Sequence, residues 1–597
     1  MLTLQNFITP EPGICTEERL YYRENGAISL DLDRGEYHVP AGHRLSFNTY
    51  FNLFNLESWL KACTLEGLFL EIHGAGQAEL CVTQILPGRS SEEVLIRQVT
   101  DLPPEAPLVL DLSAVATADA RGVLYLSVTA LAAPITLYGA RFATQTTPTD
   151  WPDLTLSITT FRREAEVEAT VARLEAFLAD YAHRDHIRLQ VVDNGKSADL
   201  TPSGRLTIYR NRNLGGAGGF ARGLLEARAA GASHCLFMDD DAAFHMENIA
   251  RAYVFLALAR NSRTALAGAM INTTHKWAIW ENGAWFDGAC RPLHNGTDLR
   301  RVRKLMQMQH RETLPKPETF YGGWWFFAFS LKELKHHPFP FFVRGDDVSF
   351  SIANDFDIRT LNGVVSFQDD FTEKESAQTL YLDLRNHLIH HLVFDQLSRS
   401  PLGTARVAIR FILRSLLRLH YSSAEAQLLA WQDVMEGPAF FDENIDMSAR
   451  RATIRALAED ETWQPNQSQA IQTAPPQQPR NLRRRIRTAL GLLTLNGHLV
   501  PFWRLIGKHR RLAIGQRGQA AYSLGASQLT FENTDQDKAY TLHHSKRRFF
   551  KVAWAMTKTL IQFHRDFDSI KANWRAGYAD MTTEAYWQRK LDEEPRD

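Results

Sequence analysis

The sequence has few cysteines, no excess of charge of either sign and no long apolar run. Five cysteines are scattered over 597 residues and none forms a CxxC pair, which argues against a disulfide framework or a zinc ribbon and fits a reducing cytoplasm. Lys and Arg (67) nearly balance Asp and Glu (68), so bulk positive charge does not hold this protein on nucleic acid. No stretch approaches the roughly 18 apolar residues of a spanning helix, and the first residues do not resemble a signal peptide.

The remaining composition is that of a globular protein, with 44% hydrophobic and 23% charged residues. Residues 1–150 contain short β-rich runs separated by Gly and Pro, which predicts an all-β sandwich or barrel domain. Residues 151–397 alternate strand and helix patterns, which predicts an α/β domain with a mainly parallel sheet. Residues 398–597 have apolar residues at helical spacing and predict a helical domain, with a Pro/Gln-rich flexible connector at residues 464–480.

Three consecutive aspartates follow the apolar strand pattern CLFM in the α/β segment. Ligands of open α/β sheets bind beyond the carboxyl ends of the strands, and crowded carboxylates there are usually compensated by a divalent cation. Because alternate residues of an extended strand point the same way, Asp239 and Asp241 can share Mg²⁺ or Mn²⁺ while Asp240 faces elsewhere. The alternative is a solvated acidic loop or a helix cap.

A glycine-rich run, Asn211–Gly223, precedes a helix pattern. Its glycines would let the backbone approach a ligand closely, and the following helix would offer free N–H groups to an anion. The run lacks the ending of a P-loop and is a poor dinucleotide-binding fingerprint. A packing turn is the alternative.

A second acidic pair, Asp346 and Asp347, lies between an apolar and a helical segment. One carboxylate of such a pair can act as a general base and the other as its partner, although a helix N-cap would have the same sequence. Upstream, Trp324 and Trp325 follow two glycines. Aromatic pairs near carboxylates grip sugar rings, but adjacent tryptophans are also common in cores.

These motifs, in this order, resemble the inverting, GT-A type nucleotide-sugar glycosyltransferases, and in particular the bacterial polymerising galactofuranosyltransferase family of mycobacterial cell-wall synthesis. The residues that carry the resemblance are Thr159–Arg163, Val192–Asn194, Asn213–Gly223, Phe237–Asp241, Trp324-Trp325, Asp346-Asp347 and Tyr381–Asn386. The resemblance implies a GT-A-like α/β domain preceded by an all-β domain and followed by a helical one. Motif-level similarity is confined to about residues 155–390.

The resemblance also implies roles for individual residues. The family holds the uridine diphosphate of the donor at the positions of Thr160, Arg163, Asp193 and Asn213, and Asp240 is assigned to the same donor site. Asp239 and Asp241 correspond to the metal-binding carboxylates. Trp324, Trp325 and Asp346 correspond to the acceptor site, and Asp347 to the catalytic base.

Two positions depart from the family pattern. Gln368 stands where the family has a metal-ligating histidine, and an amide oxygen is a poorer ligand for Mn²⁺ than imidazole, so that Asp369 or Asp370 would have to substitute. Gly345 stands where the family has tryptophan before the acidic pair, which predicts a different acceptor shape.

The function predicted from these features is metal-dependent, inverting transfer of a sugar, with galactofuranose as the best choice, from a UDP-sugar to a hydroxyl of a glycan or lipid-linked glycan in cell-surface polysaccharide synthesis. The predicted cofactor is Mn²⁺ or Mg²⁺. The expected location is the cytoplasm, peripheral on the inner face of the membrane. No nucleic-acid partner is expected, and whether the protein forms a homo-oligomer is left open. The alternatives are a nucleotidyltransferase and a non-catalytic carbohydrate-binding scaffold.

The C-terminal segment interleaves basic and apolar residues. Its basic residues are Arg480, Arg483, Arg484, Arg485, Arg487, Lys508, Arg510, Arg511, Lys546, Arg547 and Arg548. Solvated helix faces would explain them, and so would a basic amphipathic surface that rests on anionic lipid.

Overall fold

The computed structural model describes residues 1–88, 92–241, 243–369, 375–466, 489, 491–518 and 520–593, and it divides into two units. The first unit comprises Met1–Pro338, Asp347–Asp369 and Trp587–Asp597. The second comprises Phe339–Asp346 and Asp370–Tyr586. In the described ranges, no helix combines the length and the apolar character needed to cross a bilayer.

The first unit begins with a ten-stranded, antiparallel sheet system and one short helix. Its strands are β1 (Leu2–Asn6), β2 (Arg23–Glu24), β3 (Ser29–Asp31), β4 (Glu36–Val39), β5 (Arg44–Ser46), β6 (Phe69–Ile85), β7 (Glu92–Leu102), β8 (Leu108–Asp111), β9 (Val123–Ala130) and β10 (Ile135–Thr144), and its helix is α1 (Leu56–Ala62). Strands therefore make up most of the regular structure of this segment.

The long strand β6 connects the two halves of this system. Its first part pairs with β8 and β10, and its second part pairs with β7 and β9. Gly74 and Gly76 lie where the partners change: a Cβ on Gly74 would come within 2.8 Å of the Thr136 carbonyl oxygen, and Gly76 has a φ of +104°. Glycines between β-rich runs often end a strand, but here they lie within one continuous strand.

An α/β arrangement follows in the same unit. Its strands are β11 (Leu154–Thr160), β12 (Ile187–Asp193), β13 (Leu206–Arg210), β14 (His234–Asp239), β15 (Thr264–Ala267), β16 (Ala269–Asn272), β17 (Ile279–Glu281), β18 (Ala284–Phe286), β19 (Cys290–Pro292), β20 (Phe320–Tyr321), β21 (Phe327–Ser330), β22 (Asp357–Arg359) and β23 (Val365–Gln368). Its helices are α2 (Glu164–Asp180), α3 (Gly215–Ala229), α4 (Glu247–Leu258), α5 (Val302–Glu312) and α6 (Asp346–Asn354).

Seven of these strands form one sheet in the order β13-β12-β11-β14-β21-β15-β22. The four strands from β13 to β14 are parallel, whereas β21 runs antiparallel to both of its neighbours. The carboxyl ends of β11, β12 and β14 therefore meet at one edge, which is where open α/β sheets bind ligands. Two three-stranded sheets, β17-β16-β23 and β19-β18-β20, complete this part.

The second unit is mostly helical. Its helices are α7 (Ala377–Val393), α8 (Pro401–Leu417), α9 (Tyr421–Glu436), α10 (Pro438–Glu443), α11 (Ser448–Leu457), α12 (Trp503–Ile506), α13 (Ala520–Ser523) and α14 (Lys546–Met581), and α15 (Glu584–Asp592) follows. Buried aromatic contacts hold these helices together. The rings of Trp431 and Phe563 lie 5.5 Å apart between α9 and α14, and the Trp574 indole donates to the Val434 carbonyl oxygen at 2.7 Å.

A four-stranded sheet corrects the expectation of a purely helical C-terminal part. It has the order β24-β27-β26-β25, with β24 at Gln464–Pro465, β25 at Lys508–Ala513, β26 at Ala526–Glu532 and β27 at Lys538–His543. Short runs of alternating basic and apolar residues fit a strand as well as a helix turn, and pairing between distant segments decides the outcome. The first residues of the predicted connector are paired in this sheet, and residues 467–480 lie outside the described part.

Candidate active site

Three neighbouring strands deliver polar side chains to the same edge of the seven-stranded sheet. Thr160 at the end of β11 is in register with Asp193 at the end of β12, and Thr159 is in register with Asp239 at the end of β14. Sequence positions that are up to 80 residues apart are thereby brought together by strand pairing alone. The sheet edge therefore holds two of the predicted donor residues beside the first of the three aspartates.

The three aspartates are crowded, and Arg163 compensates part of their charge. The Arg163 guanidinium forms ion pairs with Asp241 and, at 3.3 Å, with Asp240. Burial, together with the neighbouring charges of Asp241 and Asp240, raises the pKa of Asp239 to about 7. Burial also raises the pKa of Asp240, against the opposing charge of Arg163. The site therefore concentrates negative charge that the protein does not fully neutralise.

A divalent cation fits these oxygen donors in charge and in chemistry. The Gln368 amide donates to Asp239 Oδ2 at 3.1 Å, so Gln368 does lie beside the carboxylates. No group of three His, Cys, Asp or Glu side chains in the described part of the chain is arranged to hold a metal. Two carboxylates that share a cation with substrate phosphates and water are, however, the usual protein ligands of Mg²⁺.

The two candidates for an additional ligand differ in what the structure shows. Asp369 Oδ1 accepts a hydrogen bond from the Thr273 hydroxyl at 2.9 Å. Asp370 lies outside the described residues. The predicted metal ligands thus remain Asp239 and Asp241.

The glycine-rich run opens α3 against the sheet. The Asn194 amide donates to the Gly215 carbonyl oxygen at 3.0 Å, and the Asn211 amide donates to Asn194 Oδ1 at 2.9 Å. A Cβ on Gly219 would lie 2.2 Å from Thr159 Cγ2, so this position must be glycine for the helix to approach β11. The packing role is therefore present, and it brings the start of α3 to the same edge as the aspartates.

Two of the predicted donor residues organise the surrounding backbone. Asp193 accepts backbone N–H groups from Gly195 at 2.8 Å and Ala198 at 2.9 Å. Asn213 Oδ1 accepts the N–H of Gly215 at 3.0 Å in the first turn of α3. Direct contacts of these side chains with a donor stay a prediction.

The two tryptophans are buried. The Trp324 ring packs 5.0 Å from the rings of Phe220 and Phe237, inside the aromatic cluster behind the sheet edge. The Trp325 indole donates to the Gly268 carbonyl oxygen at 2.9 Å. Both contacts are those of core residues, and their predicted role in gripping an acceptor stays a prediction.

The acidic pair lies at the start of α6. Asp346 is the first residue of the helix, and Asp347 Oδ1 accepts the N–H of Val348 at 2.8 Å. The helix dipole favours a carboxylate in this first turn. The preceding Gly345 has a φ of +82°, a conformation that a tryptophan would adopt only with strain. The backbone at this position therefore favours glycine over the tryptophan of the family pattern.

Glu281 is a candidate site residue that the sequence analysis missed. It is the last residue of β17 and only 6% exposed, and its Oε1 has no hydrogen-bond partner among the described residues. Burial, and secondarily the charge of Asp347, raises its pKa to about 8. Burial raises the pKa of Tyr321 well above its usual value, and Cys290, Glu281 and Asp347 add smaller contributions in the same direction.

One small sheet positions both Gln368 and Glu281. Its central strand β16 places Met270 opposite Glu281 and Asn272 opposite Gln368. Gln368 reaches Asp239, whereas Glu281 interacts electrostatically with Asp347. The only sequence signal for Glu281 is a single acidic residue within the aromatic run Trp280–Trp285, which is too weak to single out without the pairing.

Comparison with known proteins finds similarity to galactofuranosyltransferases. The model described as "Galactofuranosyltransferase 2 N-terminal" matches residues 4–144, which is the antiparallel sheet system. The galactofuranosyltransferase GlfT2 of Mycobacterium tuberculosis is 24% identical over 481 residues, covering 73% of this chain and 72% of that protein. This chain is thus similar to galactofuranosyltransferases over 73% of its length, which supports a glycosyltransferase.

A second galactofuranosyltransferase is similar to a shorter stretch of the chain. The galactofuranosyltransferase GlfT1 of Mycobacterium tuberculosis is 30% identical over 203 residues, covering 32% of this chain and 60% of that protein. Among solved structures, a mannosyltransferase from Pyrobaculum calidifontis in complex with GDP-mannose and Mn²⁺ has a TM-score of 0.28 at 18% identity, covering 53% of this chain and 83% of that one. That TM-score is too low to carry an argument.

Proposed function

We propose that this glycosyltransferase moves galactofuranose from a UDP-sugar to a hydroxyl group of a glycan, with inversion at the anomeric carbon and with a divalent cation. The proposal is carried by one observation: the ends of β11, β12 and β14 bring Thr160, Asp193 and the three aspartates to the edge at which the glycine-opened helix α3 begins. The similarity to galactofuranosyltransferases supports the choice of sugar, and the crowded aspartates support the divalent cation.

The donor would lie along this edge. The start of α3 would present the positive end of its helix dipole and free backbone N–H groups to the diphosphate. Arg163 adds a positive charge beside the aspartates. Asp239 and Asp241 would hold Mn²⁺ or Mg²⁺, which when bound neutralises charge on the leaving diphosphate. Asp193 and Asn213 fix the loops on which the donor would rest.

The acceptor hydroxyl would be activated by Asp347. Asp347 takes the proton of the hydroxyl as that oxygen attacks the anomeric carbon, and a single displacement inverts the configuration. Glu281, with a pKa of about 8, is mainly protonated near neutral pH, so that only one of the two neighbouring carboxyl groups carries a full charge. Its neutral form can also donate a hydrogen bond to an acceptor hydroxyl.

A donor panel tests the proposal. The protein is incubated with UDP-galactofuranose, UDP-galactopyranose, UDP-glucose and UDP-N-acetylglucosamine, each with Mn²⁺, and released UDP and pyrophosphate are measured. We expect UDP from UDP-galactofuranose when a galactan fragment is present. Pyrophosphate release would instead indicate a nucleotidyltransferase, and binding without any release would indicate a non-catalytic scaffold. The cytoplasmic location and the homo-oligomer remain predictions.

A further inference from the structure

The turn that precedes α6, residues 341–345, has an unusual backbone. Within it, Phe342 has a φ of +73°, Arg344 a φ of +69° and Gly345 a φ of +82°. The left-handed region is unfavourable for Phe and Arg, and such residues persist only where surrounding contacts hold them, often at functional sites. Because α6 begins directly after this turn, the course of the turn sets where the first residues of the helix lie.

Two neighbouring residues of α7 hold the 341–345 turn by its backbone. Arg385 Nη2 donates to the Phe341 carbonyl oxygen at 2.6 Å. Asn386 Nδ2 donates to the carbonyl oxygens of Val343 at 3.1 Å and of Arg344 at 2.5 Å. Both donor side chains are buried, so loss of either would leave carbonyl oxygens of the turn without these partners.

One helical turn further along α7, His390 and Gly345 fit against each other. Burial lowers the pKa of His390 to about 3, so its ring is neutral at ordinary pH. Because a carbonyl group can only accept, the ring carries its N–H on Nε2 and donates to the Gly345 oxygen at 3.0 Å. A Cβ on Gly345 would lie 2.9 Å from His390 Cε1. This position therefore needs glycine both for its φ and for the close approach.

Asp383 adds a contact to a side chain of the turn. It lies three residues before Asn386 and seven before His390, which places all three on one face of α7. Arg344 Nη1 lies 3.2 Å from Asp383 Oδ1. Both side chains are partly exposed, so this ion pair contributes less than the buried hydrogen bonds.

The surroundings of Arg385 indicate that its hydrogen bonds are used and not only its bulk. Its guanidinium carbon lies 4.4 Å from the Phe441 ring centroid, and among the described residues it forms no ion pair with a carboxylate. A buried charge in such a setting is costly, and an apolar side chain would fill the same space. The guanidinium adds the bond to Phe341 and a bond from Nε to Asn386 Oδ1 at 2.9 Å, which leaves the amide N–H groups of Asn386 for the turn.

We infer that Arg385 and Asn386 are positioning residues that act on Asp347 through the backbone of the 341–345 turn. With the turn held, α6 begins at a fixed place, and Asp347, its second residue, presents its carboxylate in one orientation. The inference rests on the proposed role of Asp347 as the base. It gives a function to the motif Tyr381–Asn386, which the proposed function leaves without one.

A double-mutant cycle on the transfer rate tests this inference. Asn386→Ala removes two hydrogen bonds to the turn and should lower kcat by about 10- to 100-fold, with UDP affinity unchanged in calorimetry. In the Asp347→Asn background the same substitution should have little further effect, because the carboxylate that it positions is already gone. Losses that multiply in the double variant would overturn the inference, since Asn386 would then act elsewhere.

Asn496→Ala is the matched control. Asn496 is likewise a buried asparagine of the second unit, and its amide donates to two backbone carbonyl oxygens, those of Leu417 at 2.8 Å and Ser523 at 3.1 Å. Its replacement should lower the melting temperature but leave kcat unchanged at a temperature at which every variant is folded. An equal fall in kcat in both variants would assign the loss to general stability and overturn the inference.

Hydrogen exchange gives a readout that needs no transfer. In peptides that cover residues 339–350, Asn386→Ala should exchange faster than the unchanged protein, whereas Asn496→Ala should not. Exchange that does not respond to Asn386→Ala would overturn the inference, whatever the activity. Faster exchange in Asn386→Ala, together with no transfer by the unchanged protein, would overturn the proposed function alone, because the turn would still depend on Asn386.

Asp383→Asn is a milder variant that decides the matter where Asn386→Ala does not fold. It removes only the charge that pairs with the partly exposed Arg344. We expect kcat to fall by about two- to fivefold with UDP affinity unchanged, and no further fall in the Asp347→Asn background. An Asp383→Asn variant with the kcat and the hydrogen exchange of the unchanged protein would overturn the inference.

Discussion

Asp347 is the residue whose replacement separates the chemical step from donor binding. Asp347→Asn keeps an oxygen that can accept the N–H of Val348, so the start of α6 should be preserved, but the amide cannot take up a proton. We expect the transfer rate to fall by roughly 10²–10⁴ while UDP binding, measured by calorimetry, is unchanged. Asp355→Asn, which follows the other end of the same helix, serves as the control. An equal loss of UDP binding would show that Asp347 is a donor or structural residue.

Glu281 gives a pH dependence with a defined sign. Because its pKa is raised from 4.5 to about 8, its contribution to stability is fully present below pH 4.5 and is lost as the pH rises to about 8. Glu281→Gln removes this loss. Relative to the unchanged protein, the variant should therefore gain about 2–4 kcal/mol of unfolding free energy between pH 5 and pH 8.5.

Denaturant unfolding at several pH values measures this difference. Glu318→Gln, an exposed residue of the same unit, is the matched control and should show no such gain. Parallel curves for Glu281→Gln and the unchanged protein would contradict the assignment of a raised pKa to Glu281.

Some residues of the candidate site could be predicted from the sequence alone, and others could not. The three aspartates and the glycine-rich run are contiguous in the chain and follow recognisable patterns, so the sequence pointed to them directly. Glu281 approaches Asp347 only through the small sheet in which β16 pairs with β17 and β23, and no local pattern encodes that pairing. Its chemistry arises from burial, which the single sequence does not report.

At the scale of elements, α3 must lie close to β11 and β12, and its glycines make this possible. A Cβ on Gly223 would lie 2.0 Å from Ser157 Oγ and 2.9 Å from Gln190 Nε2. Gly223→Ala should therefore destabilise the protein by about 1–2 kcal/mol, since overpacking outweighs the better helix propensity of alanine. Denaturant unfolding measures the change.

Gly204→Ala is the control for this prediction. A Cβ there would meet no atom within 4 Å, and the residue lies in the same unit, so its replacement should leave stability unchanged. If Gly223→Ala were as stable as the unchanged protein, the close approach of α3 to the sheet would be wrong.

Helices and strands of the α/β part followed from local patterns. Strands β11 to β14 alternate with helices α2 and α3 in the segment where the sequence showed alternating strand and helix patterns, because apolar periodicity and glycine signals act locally. The C-terminal sheet was not predicted from local patterns, since β25 to β27 are short and mix basic with apolar residues. Pairing between β25 and β26 makes them strands, and that information is not local.

At the scale of the whole molecule, the account joins a proposed donor site at one edge of the seven-stranded sheet to a proposed acceptor base at the start of α6. The near-neutral total charge conceals a local excess of positive charge, because residues 462–531 and 538–565 contain no Asp or Glu and acidic residues elsewhere in the chain balance them. The residues Arg480, Arg483, Arg484, Arg485 and Arg487 lie outside the described part. Composition alone therefore argued only against bulk binding to nucleic acid and did not reveal how charge is distributed along the chain.

The most direct test of the central claim is the rate of UDP release from UDP-galactofuranose with a galactan acceptor, measured with Mn²⁺, with EDTA, and with EDTA followed by excess Mn²⁺. The account predicts that EDTA abolishes transfer and that Mn²⁺ restores it. It also predicts that Asp241→Asn lowers the rate by about 10² or more at saturating Mn²⁺, because one of the two carboxylates that hold the cation is lost. Full activity in EDTA, or an Asp241→Asn variant as active as the unchanged protein, would contradict it.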